Sequence, residues 1–548
     1  MQHSYTKENL SPEEHKLQRV LEILPGATSW TILIGMIVLA VKQPLWAAIL
    51  IIAIDLYWLF KLTYMTIFLL LSYFRLKTEE ETDWKEKILH VDNLDHYLQN
   101  PARKPSPLNV AEFFSWRRHH EELNNLKNSG ELPPPSSHII HAILFPVSKE
   151  AACIIESSLE SLRKQSFDSR RILIIFAVEE RADESIKTDI LNLQNNHQTE
   201  FFDILVFFHP DQIPGEARVK GANVTYAARK TTDFLAERNI AFKNVILSCF
   251  DADTIVSPNY LDCLTYHFLV TPKRYQTSFQ PIPVYHNNIW QVPGFARVIE
   301  TGSSFFQLIE ATNPEKLVTF SSHSMSLKAL IDVDYWPVDM ISDDSAIFWK
   351  CYIHFNGQYK VVPILTTLSM DVAGSNNWFE TVRAVYKQKR RWAWGVENFP
   401  IVVRLFLKNK AISRYDKIKH TFKMFEAHVS WSSWGFLLSI IGWLPIFYAR
   451  QDFTYSVISY NAPRVMGIIF NLAGLSLVIS ILMSLSLLPK SDRRFPIKEQ
   501  LIHALEWCTL PLILTFLSSL PALDAQTRLM LGRYMEFWVT DKHRTVKR

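Results

Sequence analysis

The distribution of apolar residues divides the chain into a mixed middle region and two flanking regions with long hydrophobic segments. Residues 45–74 contain only Asp55 and Lys61 as charged side chains, and a shorter apolar segment, 27–41, precedes them. A helix of about 20 apolar residues is long enough to cross a bilayer, so these segments predict a transmembrane hairpin. Three further spans are predicted near the other end of the chain, at about 429–448, 465–488 and 503–520.

The loop between the last two predicted spans indicates the orientation of the chain. Residues 489–500 carry four basic side chains against two acidic ones, and short basic loops face the cytoplasm. Counting back through the spans places residues 76–428 and the N-terminus in the cytoplasm as well. Five crossings would leave the basic tail, 541–548, outside, so either the last segment re-enters the membrane or residues 522–532 turn back into it.

In the middle region, short apolar segments alternate with segments of helical periodicity. The apolar segments are nearly unbroken, which is typical of strands buried on both faces of a parallel sheet. They lie at 141–147, 172–178, 202–208 and 244–250. Alternating strands and helices predict a doubly wound α/β sheet, and such sheets bind ligands at the carboxyl ends of their strands.

Acidic residues follow the last of these strands. Asp251 and Asp253 lie in the sequence FDADT and are two residues apart, so their side chains project to the same side of an extended chain. Two adjacent carboxylates repel each other, and a divalent cation with oxygen ligands relieves that repulsion. The alternative is a turn that only ends the strand.

A second acidic pair, Asp343 and Asp344, opens a helix-like segment in SDDSAIFW. Asp and Ser are also favoured helix caps, so the pair has a structural alternative. Further polar residues lie where strands end or helices begin: Glu150, Glu179, Glu180, Lys220 and Asn223.

The segment 386–395, YKQKRRWAWG, combines four cations with two tryptophans. Such a segment suits a nucleic-acid groove, an anchor on an acidic membrane, or a phosphate clamp over an enzyme site. A net charge of only +4, from 58 basic and 54 acidic residues, weakens the nucleic-acid interpretation. The five cysteines form no CxxC pair, so neither a zinc ribbon nor a disulfide framework is indicated.

The order of these motifs resembles that of the membrane-embedded, inverting family-2 glycosyltransferases, which include cellulose, chitin and hyaluronan synthases. An acid follows the second strand, Asp-x-Asp follows the fourth, an acidic triplet comes later, and Gln-x-x-Arg-Trp precedes the last apolar segments. The resemblance covers about residues 140–530. It implies a GT-A-like fold with a Rossmann-like nucleotide-binding half, inserted between N-terminal and C-terminal transmembrane helices.

The resemblance also implies a role for each motif. Asp251 and Asp253 would bind Mg²⁺ or Mn²⁺. Asp344 would be the general base, although the family's Thr-Glu-Asp triplet reads Ser-Asp-Asp here. Asp343 and Trp392 would lie at the acceptor. The residues that would bind the donor are Glu150, Glu180, Lys220, Asn223, Asp251, Gln388 and Arg391.

Two of these assignments carry alternatives. Glu180 stands where the family more often has Asp, which makes its neighbour Glu179 a rival. Lys387, Lys389 and Trp394 lie beside the clamp but also suit an interfacial belt, because the segment leads toward the membrane.

The partners implied by the resemblance are a nucleotide-sugar donor, a glycan or lipid acceptor and membrane lipids, with no nucleic acid. Within this class, a processive polysaccharide synthase competes with an enzyme that adds one sugar to a lipid. An alternative from another class is a membrane scaffold or receptor whose sheet domain binds nucleotides without catalysis. In each case we expect an integral protein of the cytoplasmic membrane, with its sheet domain in the cytoplasm.

These interpretations divide the chain into five regions. The predicted regions are an N-terminal tail and hairpin (1–75), a cytoplasmic linker (76–136), a GT-A-like domain (137–398), amphipathic interface helices (399–428) and a C-terminal membrane region with its tail (429–548).

Overall fold

The computed structural model describes residues 5–7, 10–315, 317–375, 377–448, 457–489, 497–538 and 544. In these residues eight strands form one mixed sheet in the order β3-β2-β1-β4-β7-β6-β8-β5. The strands are β1 (Ile140–Val147), β2 (Ile172–Glu179), β3 (Asp203–His209), β4 (Val245–Cys249), β5 (Ile255–Val256), β6 (Thr277–Val284), β7 (Ser324–Ser326) and β8 (Lys360–Ser369).

The helices surround this sheet and extend from it into the apolar flanking regions. They are α1 (Pro12–Lys42), α2 (Pro44–Glu80), α3 (Trp84–Asp92), α4 (Leu94–Gln99), α5 (Val110–Ser129), α6 (Ala152–Arg163), α7 (Glu184–His197), α8 (Lys220–Glu237), α9 (Tyr260–Val270), α10 (Gly294–Ala311), α11 (Leu327–Asp332), α12 (Asp343–His354), α13 (Trp378–Ala393), α14 (Asn398–Lys408), α15 (Arg414–Ser439), α16 (Leu444–Phe447), α17 (Val457–Leu487), α18 (Ile497–Glu506), α19 (Leu510–Leu512) and α20 (Leu520–Met530).

One half of the sheet, β3-β2-β1-β4, is parallel. Its inner strands β1, β2 and β4 are almost completely buried, because helices cover both faces. All four strands lie within one residue of the predicted bounds. The predicted α/β fold between two sets of apolar helices is confirmed.

The other half of the sheet, β7-β6-β8-β5, was not predicted from the sequence. Here β7 pairs antiparallel with both β4 and β6, β8 is parallel to β6, and the two-residue β5 is antiparallel to β8. The sheet is therefore mixed rather than wholly parallel. This pairing brings the end of β8 beside the end of β4, where the first acidic motif lies.

Four of the described helical segments are long and apolar enough to cross a membrane. They are Pro12–Lys42, Pro44–Glu80, Tyr460–Leu487 and Leu501–Met530. A fifth candidate is α15 with α16, which are bent by 44° at the break between them. The last segment is not a continuous α-helix, since a π-helical stretch, Ile513–Ser519, precedes α20. The predicted basic loop has its centre, residues 490–496, outside the described residues.

The region predicted as a linker contains helices that pack on the sheet domain. Trp84 of α3 is buried, with its ring centroid 5.3 Å from that of Tyr266 in α9. His119 of α5 also contacts Tyr266, with 2.7 Å between its Nδ1 and the phenol oxygen. The sequence offered no motif for this layer, because its apolar positions are few and spread over short helices.

The segment predicted as interface helices forms two different surfaces. In α14, Ile401, Val402 and Leu405 are buried, so this helix packs into the protein. At the start of α15, Tyr415 and Ile418 are exposed, which suits a helix that meets a bilayer. Membrane docking by residues 399–428 stays a prediction, and α15 is the half that supports it.

Candidate active site

One buried lysine joins the two acidic motifs. Lys220 is the first residue of α8, at the carboxyl edge of the sheet. Its Nζ lies 3.0 Å from Oδ1 of Asp251 and 3.2 and 3.4 Å from the two carboxylate oxygens of Asp344. Burial lowers the pKa of Lys220, but the charges of Asp251 and Asp344 outweigh this and hold the pKa well above its ordinary value. A charged ammonium therefore connects the end of β4 with the start of α12.

The carboxylates of the Asp-x-Asp motif are held by groups next to strands β7 and β8. Oδ2 of Asp251 accepts a hydrogen bond from the hydroxyl of Ser321 at 2.7 Å. Asp253 is buried, and its Oδ2 accepts a bond from the backbone N–H of Asp371, just after β8, at 2.7 Å. Hydrogen bonds of this kind stabilise charged carboxylates and fix their orientation.

The second acidic pair occupies the first turn of α12, but neither aspartate is the cap of that helix. The N-cap residue is Ser342, whose side chain makes no capping bond. Its hydroxyl instead donates to Oε1 of Glu397 at 2.8 Å. The side chain of Asp344 is about a quarter exposed, and its oxygens reach Lys220. The interpretation of Asp344 as the N-cap of α12 is therefore wrong, because Ser342 occupies that position.

Asp343 is buried beside Asp344, and its carboxyl has a raised pKa. Its Oδ2 has no hydrogen-bond partner among the described residues. Burial raises the pKa of Asp343 to about 8, and the charge of Asp344 adds to this shift. The charges of Lys220 and Arg391 act in the opposite direction. Asp343 is thus mainly a neutral carboxylic acid at pH 7, able to donate a hydrogen bond.

The Gln-x-x-Arg-Trp motif lies on the last two turns of α13. Gln388 is buried, and its Oε1 has no hydrogen-bond partner in the part of the chain that the structure describes. Arg391 is close enough to Asp343 for its charge to act on that carboxyl. The ring of Trp392 is half-buried and meets the ring of Phe320 edge-on, with 5.6 Å between centroids. The motif therefore lies beside the second acidic pair.

Two neighbours of this motif lie inside the protein. Nζ of Lys389 is buried, lies 2.9 Å from Oε2 of Glu300 in α10 and sits 3.7 Å from the ring centroid of Trp392. Trp394 is completely buried, and its Nε1 donates to Glu397 at 3.0 Å. The interfacial-belt alternative is wrong for Lys389 and Trp394, because both are structural contacts of the clamp.

The predicted donor residues near β1 and β2 lie in loops at the same edge of the sheet. Glu150 is half-buried, and its Oε2 accepts bonds from the backbone N–H groups of Ser148 and Lys149 at 2.7 and 2.9 Å. Glu180 is exposed, and its Oε2 accepts a bond from the backbone of Asp211 at 3.2 Å. Glu150 thus organises its own loop, whereas Glu180 links its loop to the one after β3.

Glu179 and Asn223 are more deeply placed. Glu179 is buried, pairs with Arg181 and lines a cavity of about 170 Å³ with His209. Asn223 is buried in α8, and its Nδ2 donates to the carbonyl of Ala177 in β2 at 2.7 Å. Strand alternation explains the contrast with Glu180, since adjacent residues point to opposite sides.

Sequence reasoning missed two parts of the site. Asp371 follows an apolar strand just as Asp251 does, and this signal was available. The C-terminal tail gave no signal beyond its charge, yet the ring of Phe537 lies 5.4 Å from the guanidinium of Arg391. Nη1 of Arg544 lies 3.4 Å from Oδ1 of Asp371. The described tail residues therefore contact the catalytic domain.

The residues at the end of β4 fit a divalent cation. Among the described residues no group of three or more His, Cys, Asp or Glu is arranged around a metal position. Asp251 and Asp253 would be the carboxylates that hold a cation here. This suits Mg²⁺, which often binds through one or two carboxylates and completes its shell with substrate phosphates and water. Oδ1 of Asp251 already accepts the cationic Nζ of Lys220, which shows that the position favours positive charge.

The α/β domain between apolar helices carries four carboxyl groups and a basic helix at one edge of its sheet. Residues 246–520, half of the chain, match the family model described as Glycosyl transferase family group 2. The chain belongs to this family and is a glycosyltransferase. The match includes both acidic motifs and the Gln-x-x-Arg-Trp helix.

Curated relatives include two bacterial polysaccharide synthases. A poly-β-1,6-N-acetyl-D-glucosamine synthase of Staphylococcus epidermidis is 23% identical over 313 residues, which are 56% of this chain and 66% of the relative. The enzyme of the same name from Staphylococcus aureus (strain COL) is 28% identical over 170 residues, which are 30% of this chain and 38% of the relative. The match thus spans just under two thirds of the longer-matched relative.

Solved structures with some likeness are more distant. The mannosyltransferase PcManGT of Pyrobaculum calidifontis, in complex with GDP-Man and Mn²⁺, is 12% identical with a TM-score of 0.39, covering 81% of this chain and 100% of that one. S. aureus TarS 1–349 in complex with UDP is 11% identical with a TM-score of 0.35, covering 74% of this chain and 95% of that one.

Proposed function

We propose that this chain is an inverting glycosyltransferase that moves a sugar from a nucleoside diphosphate sugar to a hydroxyl group of a membrane-proximal glycan or lipid. The observation that carries the proposal is the position of Lys220 between Asp251 and Asp344. One ammonium thereby links the carboxylate expected at the donor's diphosphate to the carboxylate expected at the acceptor. Family membership favours this enzyme over a scaffold that only binds nucleotides.

In the proposed reaction, Asp344 accepts the proton of the attacking hydroxyl. The hydroxyl oxygen forms a bond to the anomeric carbon from the face opposite the leaving group. The bond from that carbon to the phosphate oxygen breaks, and its electron pair leaves with the nucleoside diphosphate. Arg391 stabilises the charge that develops on the diphosphate, because a guanidinium forms strong bonds to phosphate oxygens. The attack inverts the anomeric centre.

The other predicted residues hold the two substrates. Asp251 and Asp253 would hold a divalent cation, Mg²⁺ or Mn²⁺, which supplies positive charge for the diphosphate. The remaining proposed donor residues are Glu150, Glu180, Lys220, Asn223 and Gln388. Trp392 offers a flat apolar face to a sugar ring of the acceptor, and Asp343 lies beside the same acceptor. Glu179 competes with Glu180, because it is the buried member of that pair.

The product and the orientation complete the proposal. The names of the relatives support a polysaccharide built from N-acetylglucosamine as the first product to test. The sheet domain faces the cytoplasm, where nucleotide sugars are made, and the four apolar helical segments anchor it in the cytoplasmic membrane.

The test is a panel of nucleotide sugars, UDP-GlcNAc, UDP-glucose, UDP-galactose and GDP-mannose, given to membranes that contain the full chain. We expect one of them to release its nucleoside diphosphate only when Mg²⁺ or Mn²⁺ is present. Gel filtration of the radiolabelled product then distinguishes a polymer from a single labelled lipid. No metal-dependent release from any of the four sugars, in membranes where the folded protein is detected, would contradict the proposal.

A further inference from the structure

One buried carboxylate holds the loop 333–342, which leads into α12 and its residue Asp344. Glu397 follows the clamp helix by four residues and is almost inaccessible to solvent. Its Oε1 accepts bonds from the backbone N–H groups of Ile341 and Ser342 at 3.1 and 3.0 Å, as well as from the Ser342 hydroxyl. These residues directly precede the acidic pair. Glu397 therefore fixes the backbone from which Asp344 projects.

The same carboxylate is reached by the N-terminus of the chain. Nζ of Lys7 lies 3.4 Å from Oε2 of Glu397, although 390 residues separate them. The hydroxyl of Thr6 donates to Oδ2 of Asp339, in the loop 333–342, at 2.7 Å. The segment Tyr5–Lys7, which precedes α1, thus contacts this loop and Glu397.

A third contact joins the N-terminal segment to Ser342 through Asn398. Tyr5 is buried, and its hydroxyl donates to Oδ1 of Asn398 at 2.6 Å. Nδ2 of Asn398 in turn donates to the hydroxyl of Ser342 at 2.9 Å. The N-terminal segment therefore reaches the loop through Asp339, Glu397 and Asn398, three separate points.

We propose that Tyr5–Lys7 and Glu397 are positioning residues that set the placement of Asp344 for transfer. The inference rests on the proposed function, in which Asp344 is the base. Ordering this segment costs conformational entropy, so its contacts have to be favourable to persist. Lys7 supplies a charge-assisted bond to a desolvated carboxylate, which is stronger than a neutral one. Small displacements at a reacting centre reduce rate more than affinity.

The test compares three variants of the full chain, assayed in membranes with the panel sugar that turns over fastest. Lys7→Met removes the charge-assisted bond, and Lys7→Arg keeps it. Lys16→Met removes an equal charge from an exposed position of α1 and is the matched control. We expect Lys7→Met to lower kcat about 3- to 10-fold with an unchanged donor KM. Lys7→Arg should restore most of kcat, and Lys16→Met should match the parent.

Tyr5→Phe provides a second variant that deletes only the bond to Asn398. We expect a smaller fall in kcat, again with donor KM unchanged. A parental kcat in both Lys7→Met and Tyr5→Phe overturns the proposal, as does a rise in donor KM with kcat unchanged. Asp344→Asn distinguishes a failure of the proposed base from a failure of the N-terminal positioning role. A parental rate in that variant overturns the proposed base itself, whereas a slow Asp344→Asn beside parental rates in both Lys7→Met and Tyr5→Phe overturns only the N-terminal positioning role.

Discussion

The two acidic pairs of the site, Asp251 with Asp253 and Asp343 with Asp344, resemble each other in sequence and differ in their surroundings. Hydrogen-bond donors satisfy the first pair, since Ser321 donates to Asp251 and a backbone N–H donates to Asp253. In the second pair, Asp343 has a buried oxygen with no hydrogen-bond partner among the described residues and a raised pKa.

This difference supports the separate tasks that we propose for the two pairs. A pair held by donors keeps two oriented anions, which is what a hard cation requires. In the second pair, burial raises the pKa of Asp343, and the more exposed Asp344 is the carboxylate that we propose as the proton acceptor. Lys220 connects the pairs, because it contacts Asp251 in one and Asp344 in the other.

The largest effect is expected at the exposed member of the second pair. Asp344→Asn preserves shape but removes the proton acceptor, so the transfer rate should fall by about 10²- to 10⁴-fold with nearly unchanged donor and metal binding. Initial rates of nucleoside diphosphate release and isothermal titration with the donor measure the two quantities. A folded variant that transfers at close to the parental rate would remove Asp344 from the mechanism.

The first pair should respond in binding rather than in proton transfer. Asp253→Asn replaces a hard anionic ligand by a neutral amide, so metal-dependent donor affinity should fall by about 10-fold or more. The test is titration of donor with and without Mg²⁺ or Mn²⁺. The backbone here also turns, since the N–H of Thr254 donates to the carbonyl of Asp251 at 2.9 Å. Unchanged affinity would leave the motif as that turn alone.

A substitution in the Gln-x-x-Arg-Trp helix tests whether the acceptor binds beside this motif and the second pair. Trp392→Ala removes a half-buried ring beside Phe320 and should slow transfer about 3- to 10-fold, with donor affinity unchanged. Trp378→Ala is the matched control, because Trp378 is exposed at the other end of the same helix. Equal losses in transfer rate and donor titration would instead make Trp392 a structural part of the clamp.

The difference between local and distant contacts explains which parts of the fold could be predicted from the sequence. The strands β1 to β4 are recognised because each is a local apolar segment, and Asp251 and Asp253 follow directly on the last of them. Strand β7 has three residues and β5 has two, so neither has a detectable pattern of its own. Their pairing depends on residues far apart in the chain, which local periodicity does not report.

The site shows the same limit. Candidates at strand ends or in a basic motif could be named from the sequence, including Lys220, Asp344 and Arg391. The supporting contacts could not, because they join distant segments: Lys7 reaches Glu397, and Arg544 reaches Asp371. Burial could not be predicted either. Lys389 lies in a run of four cations and nevertheless forms a buried pair with Glu300.

The smallest effect on rate at neutral pH is expected at the buried member of the second pair. Asp343 is mainly neutral at pH 7, so Asp343→Asn replaces one neutral side chain by another of similar shape. Transfer at pH 7 should change less than about 3-fold, far less than in Asp344→Asn. A loss as large as that of Asp344→Asn would mean that Asp343 shares the proton transfer, and the contrast within the pair would fail.

The pH dependence of stability tests the raised pKa of Asp343. Its pKa is about 8 in the folded protein, against about 3.9 for an unperturbed aspartate. The unfolded chain therefore loses this proton first, and the contribution of Asp343 to stability is fully present below about pH 4 and is lost as pH rises toward 8. Asp343→Asn has no such proton. Its thermal midpoint relative to the parental protein should rise between pH 5 and 8, whereas a difference independent of pH would show that the parental carboxyl ionises normally.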